Sequence, residues 1–132
     1  ASKFDIVAQQ DGQAALDGSL GHAEDSIQAN PELDAFFCIN DPSALGAVAA
    51  IQAANMTGKI GVYSIDASPD GKEALLDGSF TAVACQVPLG IAETAVESAV
   101  TILEGGTVDS EIWLDSHLVT EEEAEETAGQ WQ

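Results

Sequence analysis

Three times along this chain a short apolar run ends on one polar side chain, and within three residues a proline opens a helical pattern. The runs are Ala35–Ile39 before Asn40, Ile60–Ile65 before Asp66, and Thr81–Cys85 before Gln86; the prolines are Pro42, Pro69 and Pro88. Apolar runs alternating with helical patterns imply a parallel sheet with right-handed crossovers. In such a sheet the three polar residues line up along one edge, at the carboxyl ends of the strands. That edge is where open α/β sheets bind ligands. An amide, a carboxylate and a second amide suit a neutral hydrogen-bonding ligand, and they form no evident catalytic set. The pattern therefore points to binding before chemistry.

The remaining segments fit the same alternation. Phe4–Ala8 reads as a short strand, residues 11–18 as a loop or frayed helix start, and Leu20–Ala29 as a weaker helix ended by Asn30-Pro31. The run at 35–39 is continuously apolar, as expected of a strand covered on both faces. Asp41 reads as an N-cap with Pro42 at the first helical position, and the helix runs to about Asn55. Ser68-Pro69 repeats the signal for a short helix that ends at Asp77-Gly78. Pro88 opens the clearest amphipathic helix, with Ala92, Ala95, Val96, Ala99, Ile102 and Leu103 at helical spacing and Gly105-Gly106 at its end. Residues 111–119 read as a last extended stretch, and Thr120 with Glu123 as a capping box that starts a terminal helix.

At 132 residues the chain is long enough for one domain with a real core. No run approaches the roughly 18 apolar residues of a membrane span. No basic-then-apolar leader opens the chain, so a signal peptide is expected to have been removed or never present, and Ala1-Ser2 reads as a vector remnant. Three Lys+Arg against 23 Asp+Glu give a formal net charge of −20. That field repels phosphates and anionic lipid, which argues against nucleic acid as a partner. It serves either solubility or a high-salt habitat, where counterions screen self-repulsion.

Asp66 has two open readings: an acceptor for two adjacent ligand hydroxyls, or a turn residue ahead of the helix. A phosphoacceptor role is excluded, because it needs a second acidic pair and a strand-end lysine, and Lys3, Lys59 and Lys72 are all misplaced. Asn40 can donate to and accept from a ligand, or form an Asx turn. Gln86 is a less common turn residue. His22 and His117 have no partner at metal-ligand spacing and read as solvated or packing residues, so no metal and no cofactor is expected. Trp113 reads as a packing or interface residue. Cys38 and Cys85 fall in strands separated by the 60–65 strand, about 9–10 Å apart, beyond the reach of a disulfide, so both are expected as buried free thiols. No phosphate loop and no nucleophile–base pair are present, which sets aside a doubly wound enzyme.

The residues also carry a resemblance. Asn30-Pro31-Glu32-Leu33-Asp34-Ala35-Phe36-Phe37-Cys38-Ile39-Asn40-Asp41, then Ala44-Leu45-Gly46-Ala47, resembles the ribose-type periplasmic sugar-binding proteins of ABC transporters. So do Ser64–Gly71 and Leu76–Gln86, and Leu118-Val119-Thr120 is similar to the closing strand of that family. The resemblance covers nearly the whole chain and corresponds to the C-terminal half of a two-lobed protein. It implies an incomplete, parallel Rossmann-like sheet of the periplasmic-binding-protein type. It implies no bond-making chemistry, capture of a small sugar or polyol between lobes, delivery to a membrane permease, and a periplasmic or extracellular location. It places ligand contacts at Asn40, Asp66 and Gln86. Residues 1–87 would be part of the C-terminal ligand-binding lobe, 88–116 a segment returning to the N-terminal lobe, and 117–132 the closing strand end and acidic terminal helix. Hinge crossings would lie at 86–88 and near 117–119.

The chain departs from the family in two ways. The family's first half, with an arginine that contacts the ligand, is absent, and near Ala14, where the family often has an aromatic ring, stands Ala14-Ala15-Leu16. By the family's strand order the strands from Phe4 and Ala35 would flank a central strand that is absent. The exposed edges predict self-association, with exchange of elements as one route. The alternative function is the effector-binding half of a sugar-responsive transcription regulator of related fold. No DNA-binding helix pair is in the chain, and its acidity argues against that reading.

Overall fold

The computed structural model describes residues 3–131; Ala1 and Ser2, read above as a vector remnant, lie outside them. Along the chain come α1 (Leu16–Ala29), β1 (Ala35–Phe37), α2 (Asp41–Ala53), β2 (Gly61–Asp66), α3 (Pro69–Leu76), β3 (Ala82–Cys85), α4 (Pro88–Leu103), β4 (His117–Leu118) and α5 (Glu121–Glu126). The sheet order is β1-β2-β3-β4. β1–β2 and β2–β3 are parallel, with Phe37 paired to Tyr63 and Asp66 to Cys85. This is the α/β alternation expected, and the three polar residues do fall at one edge of the sheet.

α2 and α3 start where a short polar cap meets a proline. Asn40 caps α2, its Oδ1 accepting from the Ser43 amide at 3.1 Å. Ser68 caps α3 through its Oγ and the Gly71 amide at 3.1 Å, and Thr120 caps α5 through Glu123. Asp41, expected as the cap of α2, is instead its first residue, because the extended backbone needed at a cap falls one position earlier, at Asn40. The α3 exit is as expected, with Gly78 left-handed at φ 79°. α1 begins a turn earlier than Leu20, after Gln13 and Ala14 turn the chain with φ near 55°.

The core lies on one face of the sheet. Val62, Ser64, Val83 and Cys85 point into it and meet Ala44, Ala47, Ala50 and Ile51 of α2 and Ala74 of α3. Small residues allow the close approach of α1 and α2: a Cβ on Gly46 would sit 2.6 Å from the Leu16 carbonyl oxygen. Cys38 and Cys85 are free and buried with β2 between them.

Three expectations are corrected. Phe4–Ala8 forms no strand, and Ile6 is 79% exposed, because among the described residues no strand lies beside it to complete a ladder. β1 is not covered on both faces: Phe37 is 77% exposed and its registered neighbour Tyr63 40%, because α2 and α3 pack on the opposite face. The stretch 111–119 contributes only two strand residues, and these run antiparallel to β3, with Leu118 opposite Ala84 and His117 opposite Cys85. The last strand is therefore not a further parallel member. A parallel return needs a crossover helix lying on the sheet. α4 forms, but buries none of its residues, so its apolar stripe at Val96, Ile102 and Leu103 faces solvent. The helix forms over the expected span, and no partner for its stripe lies among the described residues.

Candidate ligand-binding edge

The edge is built from strand register. β1 and β2 pair with an offset of 26 residues (Phe37 to Tyr63), which brings Asn40 level with Asp66. β2 and β3 pair with an offset of 19, which sets Asp66 beside Cys85 and one residue short of Gln86.

Asp66 is half-buried and closes β2. Its Oδ1 accepts from Gln86 Nε2 at 2.5 Å. Burial pushes the Asp66 carboxyl above the ordinary carboxylate range; the Gln86 hydrogen bond opposes this, and the charge of nearby Asp41 adds to the rise. Gln86 is exposed, next to the Val87–Pro88 start of α4. Asn40 is committed at both ends, since its Nδ2 donates to the Ala14 carbonyl at 3.0 Å while its Oδ1 caps α2. It thereby ties the start of α1 to the start of α2. One amide hydrogen and one lone pair are left over by this pair of bonds.

The backbone along this edge is unusual. Asp66 has φ 126°, Ala67 φ 56° and Val87 φ 47°, all left-handed for residues with side chains. Ala14, whose carbonyl accepts from Asn40, and its chain neighbour Gln13 are left-handed too. Such conformations cost on the order of 1–3 kcal/mol each and persist where the surroundings impose them.

Beside Gln86 opens a cavity of about 630 Å³, bounded by Ile65 of β2, Thr94 and Ser98 of α4, and Ser110 and Ser116 of the return segment. Its volume falls in the range of small-molecule sites. Asn40 and Asp66 are not among its lining residues; a hydrogen bond joins Asp66 to Gln86, while Asn40, level with Asp66, is bonded to Ala14 and Ser43. His117, opposite Cys85, is not merely solvated: its Nε2 meets Glu123 Oε1 at 2.8 Å. Among the described residues no group of three His, Cys, Asp or Glu is placed to hold a metal, and no helix is long and apolar enough to cross a membrane.

Two residues at or behind this edge escaped the sequence reading. Asp41 is fully buried and accepts from Ser64 Oγ (2.6 Å), Ser68 Oγ (2.6 Å) and the Ser68 amide (2.8 Å). Lys72, read as misplaced, is also fully buried, and its Nζ donates to the Gln130 carbonyl at 2.7 Å and the Thr127 carbonyl at 3.2 Å. Nothing in the local pattern announces Lys72.

Residues 1–107 match the periplasmic binding protein domain. The chain belongs to that family. It is 33% identical over 122 residues to the ribose import binding protein of Escherichia coli K12, covering 92% of this chain and 41% of that protein. Among solved structures it resembles an ABC transporter periplasmic solute-binding protein from Actinobacillus succinogenes with bound D-allose (TM-score 0.87, 27% identity, 92% of this chain and 43% of that one). It also resembles an ABC transporter solute-binding protein from Bacillus halodurans with bound myo-inositol (TM-score 0.84, 30% identity, 92% and 42%). The chain thus spans about 40% of the length of the curated relatives it matches.

Proposed function

We propose that this chain is part of the solute-binding component of an ABC sugar transporter, and that Asp66 and Gln86, with Asn40 beside them, hold a small neutral sugar or polyol. The observation that carries the reading is the Asp66–Gln86 pair. A carboxylate and an amide from adjacent strands, already hydrogen-bonded at 2.5 Å, present acceptors and donors to neighbouring hydroxyls. Family relatives of the same fold carry D-allose and myo-inositol, which fits a ligand of that chemistry. The task is capture and delivery, with no covalent step, and the partner is a membrane permease. The site of action is the periplasm or cell exterior.

Residues 1–87 act as part of the ligand-binding lobe. α4 and the segment to residue 116 belong to a second lobe, which is consistent with a helix that buries nothing against the sheet. Residues 117–132 close the ligand lobe. The open sheet face around Phe37 and Tyr63 and the outer edge of β1 make the isolated chain self-associate, more strongly at high salt, where the −20 charge is screened. Sedimentation at two salt concentrations reads this directly, and a monomer in both would overturn it.

The test of function is thermal shift of the chain with D-ribose, D-allose and myo-inositol. A ligand that binds only the folded state raises Tm. The expected result is a rise with one of them that Asp66→Ala abolishes. A rise that survives Asp66→Ala would remove this edge as the site.

A further inference from the structure

The position of Asp41 is unusual for a residue at a helix start. A carboxylate there commonly sits in solvent against the helix dipole. Asp41 is instead fully buried, and its oxygens reach across to the end of the next strand. Oδ1 accepts from Ser64 Oγ, and Oδ2 accepts from both the amide and the hydroxyl of Ser68. Ser64 lies two residues before Asp66, and Ser68 two residues after it. The carboxylate therefore grips the chain on both sides of Asp66.

Between the two grips lie the left-handed residues Asp66 and Ala67, with φ 126° and 56°. Neither is a glycine, so the turn is held open by its surroundings. A carboxylate is suited to this because it only accepts, and all three groups facing it donate. Ser68 Oγ passes the arrangement on by accepting from the Gly71 amide at the start of α3. Asn40, the chain neighbour of Asp41, is held separately by its own bonds to Ala14 and Ser43.

We infer that Asp41 is a positioning residue for the ligand edge: it fixes the Asp66–Ala67 turn in the one conformation that aims the Asp66 carboxylate at Gln86. The identity of the ligand rests on the function proposed above; the positioning is a property of the free chain. The edge is then preorganised, with its acceptors fixed before any hydroxyl arrives.

The test is heteronuclear NMR of the free chain in wild-type, Asp41→Asn and Ser64→Ala forms. A left-handed residue gives a strong intraresidue cross-peak between its amide and Hα protons. The expected result is loss of those cross-peaks at 66 and 67 and a moved Gln86 side-chain amide signal in Asp41→Asn. Ser64→Ala shows the same changes in weaker form, and the signals of Val62 and Val83 stay in place in both variants. Unchanged cross-peaks and an unchanged Gln86 signal in folded Asp41→Asn would overturn the inference. Should Asp41→Asn not fold, an unchanged Gln86 signal in Ser64→Ala overturns it alone. Titration with D-ribose and myo-inositol separates the two ideas. Binding at least tenfold weaker in Asp41→Asn supports both. An altered turn with no sugar bound by wild type upholds the positioning role and counts against the sugar reading.

Discussion

Gly71→Ala sets two physical effects against each other with opposite signs. Gly71 lies in the first turn of α3, and helix propensity alone predicts that alanine stabilises by up to about 1 kcal/mol. The structure predicts the reverse. A Cβ at this position would stand 2.0 Å from Asp41 Oδ2 and 2.4 Å from its Cγ, where ordinary contact begins at 3.4 Å. The carboxylate would have to retreat by about 1.4 Å. Its bonds to the Ser68 amide and hydroxyl, at 2.8 and 2.6 Å, do not survive that movement. Each hydrogen bond to a charged group contributes about 1.5–3 kcal/mol, so the loss of two, less the propensity gain, gives a net destabilisation of about 2–5 kcal/mol. Urea denaturation followed by circular dichroism measures it, with the slope checked for two-state behaviour. Gly21→Ala is the matched control: it lies inside α1 with nothing within 4 Å of its Cβ, so propensity acts unopposed and the midpoint rises. A midpoint for Gly71→Ala equal to or above wild type would refute the crowding argument and, with it, the tight seat of Asp41.

Two further outcomes follow from the buried and half-buried charges. The folded-state pKa of Asp66 is raised, so its charged form is penalised in the folded chain; stability on this account is full at pH below the unfolded value and is lost as pH rises through the folded one. Asp66→Asn, which keeps an acceptor for Gln86, is therefore expected to raise Tm at pH 7 and to match wild type near pH 3; a difference of the same size at both pH values would exclude the linkage. Lys72→Met removes the buried donor to the Thr127 and Gln130 carbonyls while keeping most of the side-chain volume. Losing these two charge-assisted bonds costs about 3–6 kcal/mol and is expected to loosen α5 first, so hydrogen exchange should accelerate in 121–127 before the core strands. Uniform exchange across the chain would mean that α5 does not depend on Lys72.

The parts of the fold legible in the sequence were those specified locally. Ser68-Pro69 and Thr120 with Glu123 announced their helices, and each cap is in place. The apolar runs 60–65 and 81–85 became β2 and β3 because their inward residues, Val62 and Val83, reach a core made by α2 and α3 of the same chain. The failures share one cause. Phe4–Ala8 and the open face of β1 both have patterns that presuppose a partner surface, and pattern alone does not say whether that surface belongs to the same chain. Asp41 failed for a different reason. Cap chemistry permits both Asn40 and Asp41, and only the tertiary position of Ser64 and Ser68 decides between them.

The same distinction bears on how the edge would act. Asn40 is bonded to Ser43 and Ala14, and Asp66 to Gln86, so none of the three side chains waits loose for a ligand. On the proposed function, these internal bonds would fix directions in advance and lower the ordering cost of binding. They leave the Asp66 carboxylate with acceptor capacity facing outward and only partly shielded. A hydroxyl bonded there from one side still competes with water on the other. Covering the second side would remove that competition, strengthen the charge-assisted bonds to Asp66 and raise the cost of leaving its charge unpaired. Closure by a second lobe and occupation by a polyhydroxylated ligand would then favour each other, because the surface that excludes water from Asp66 is the one that makes its hydrogen bonds to the ligand worth most.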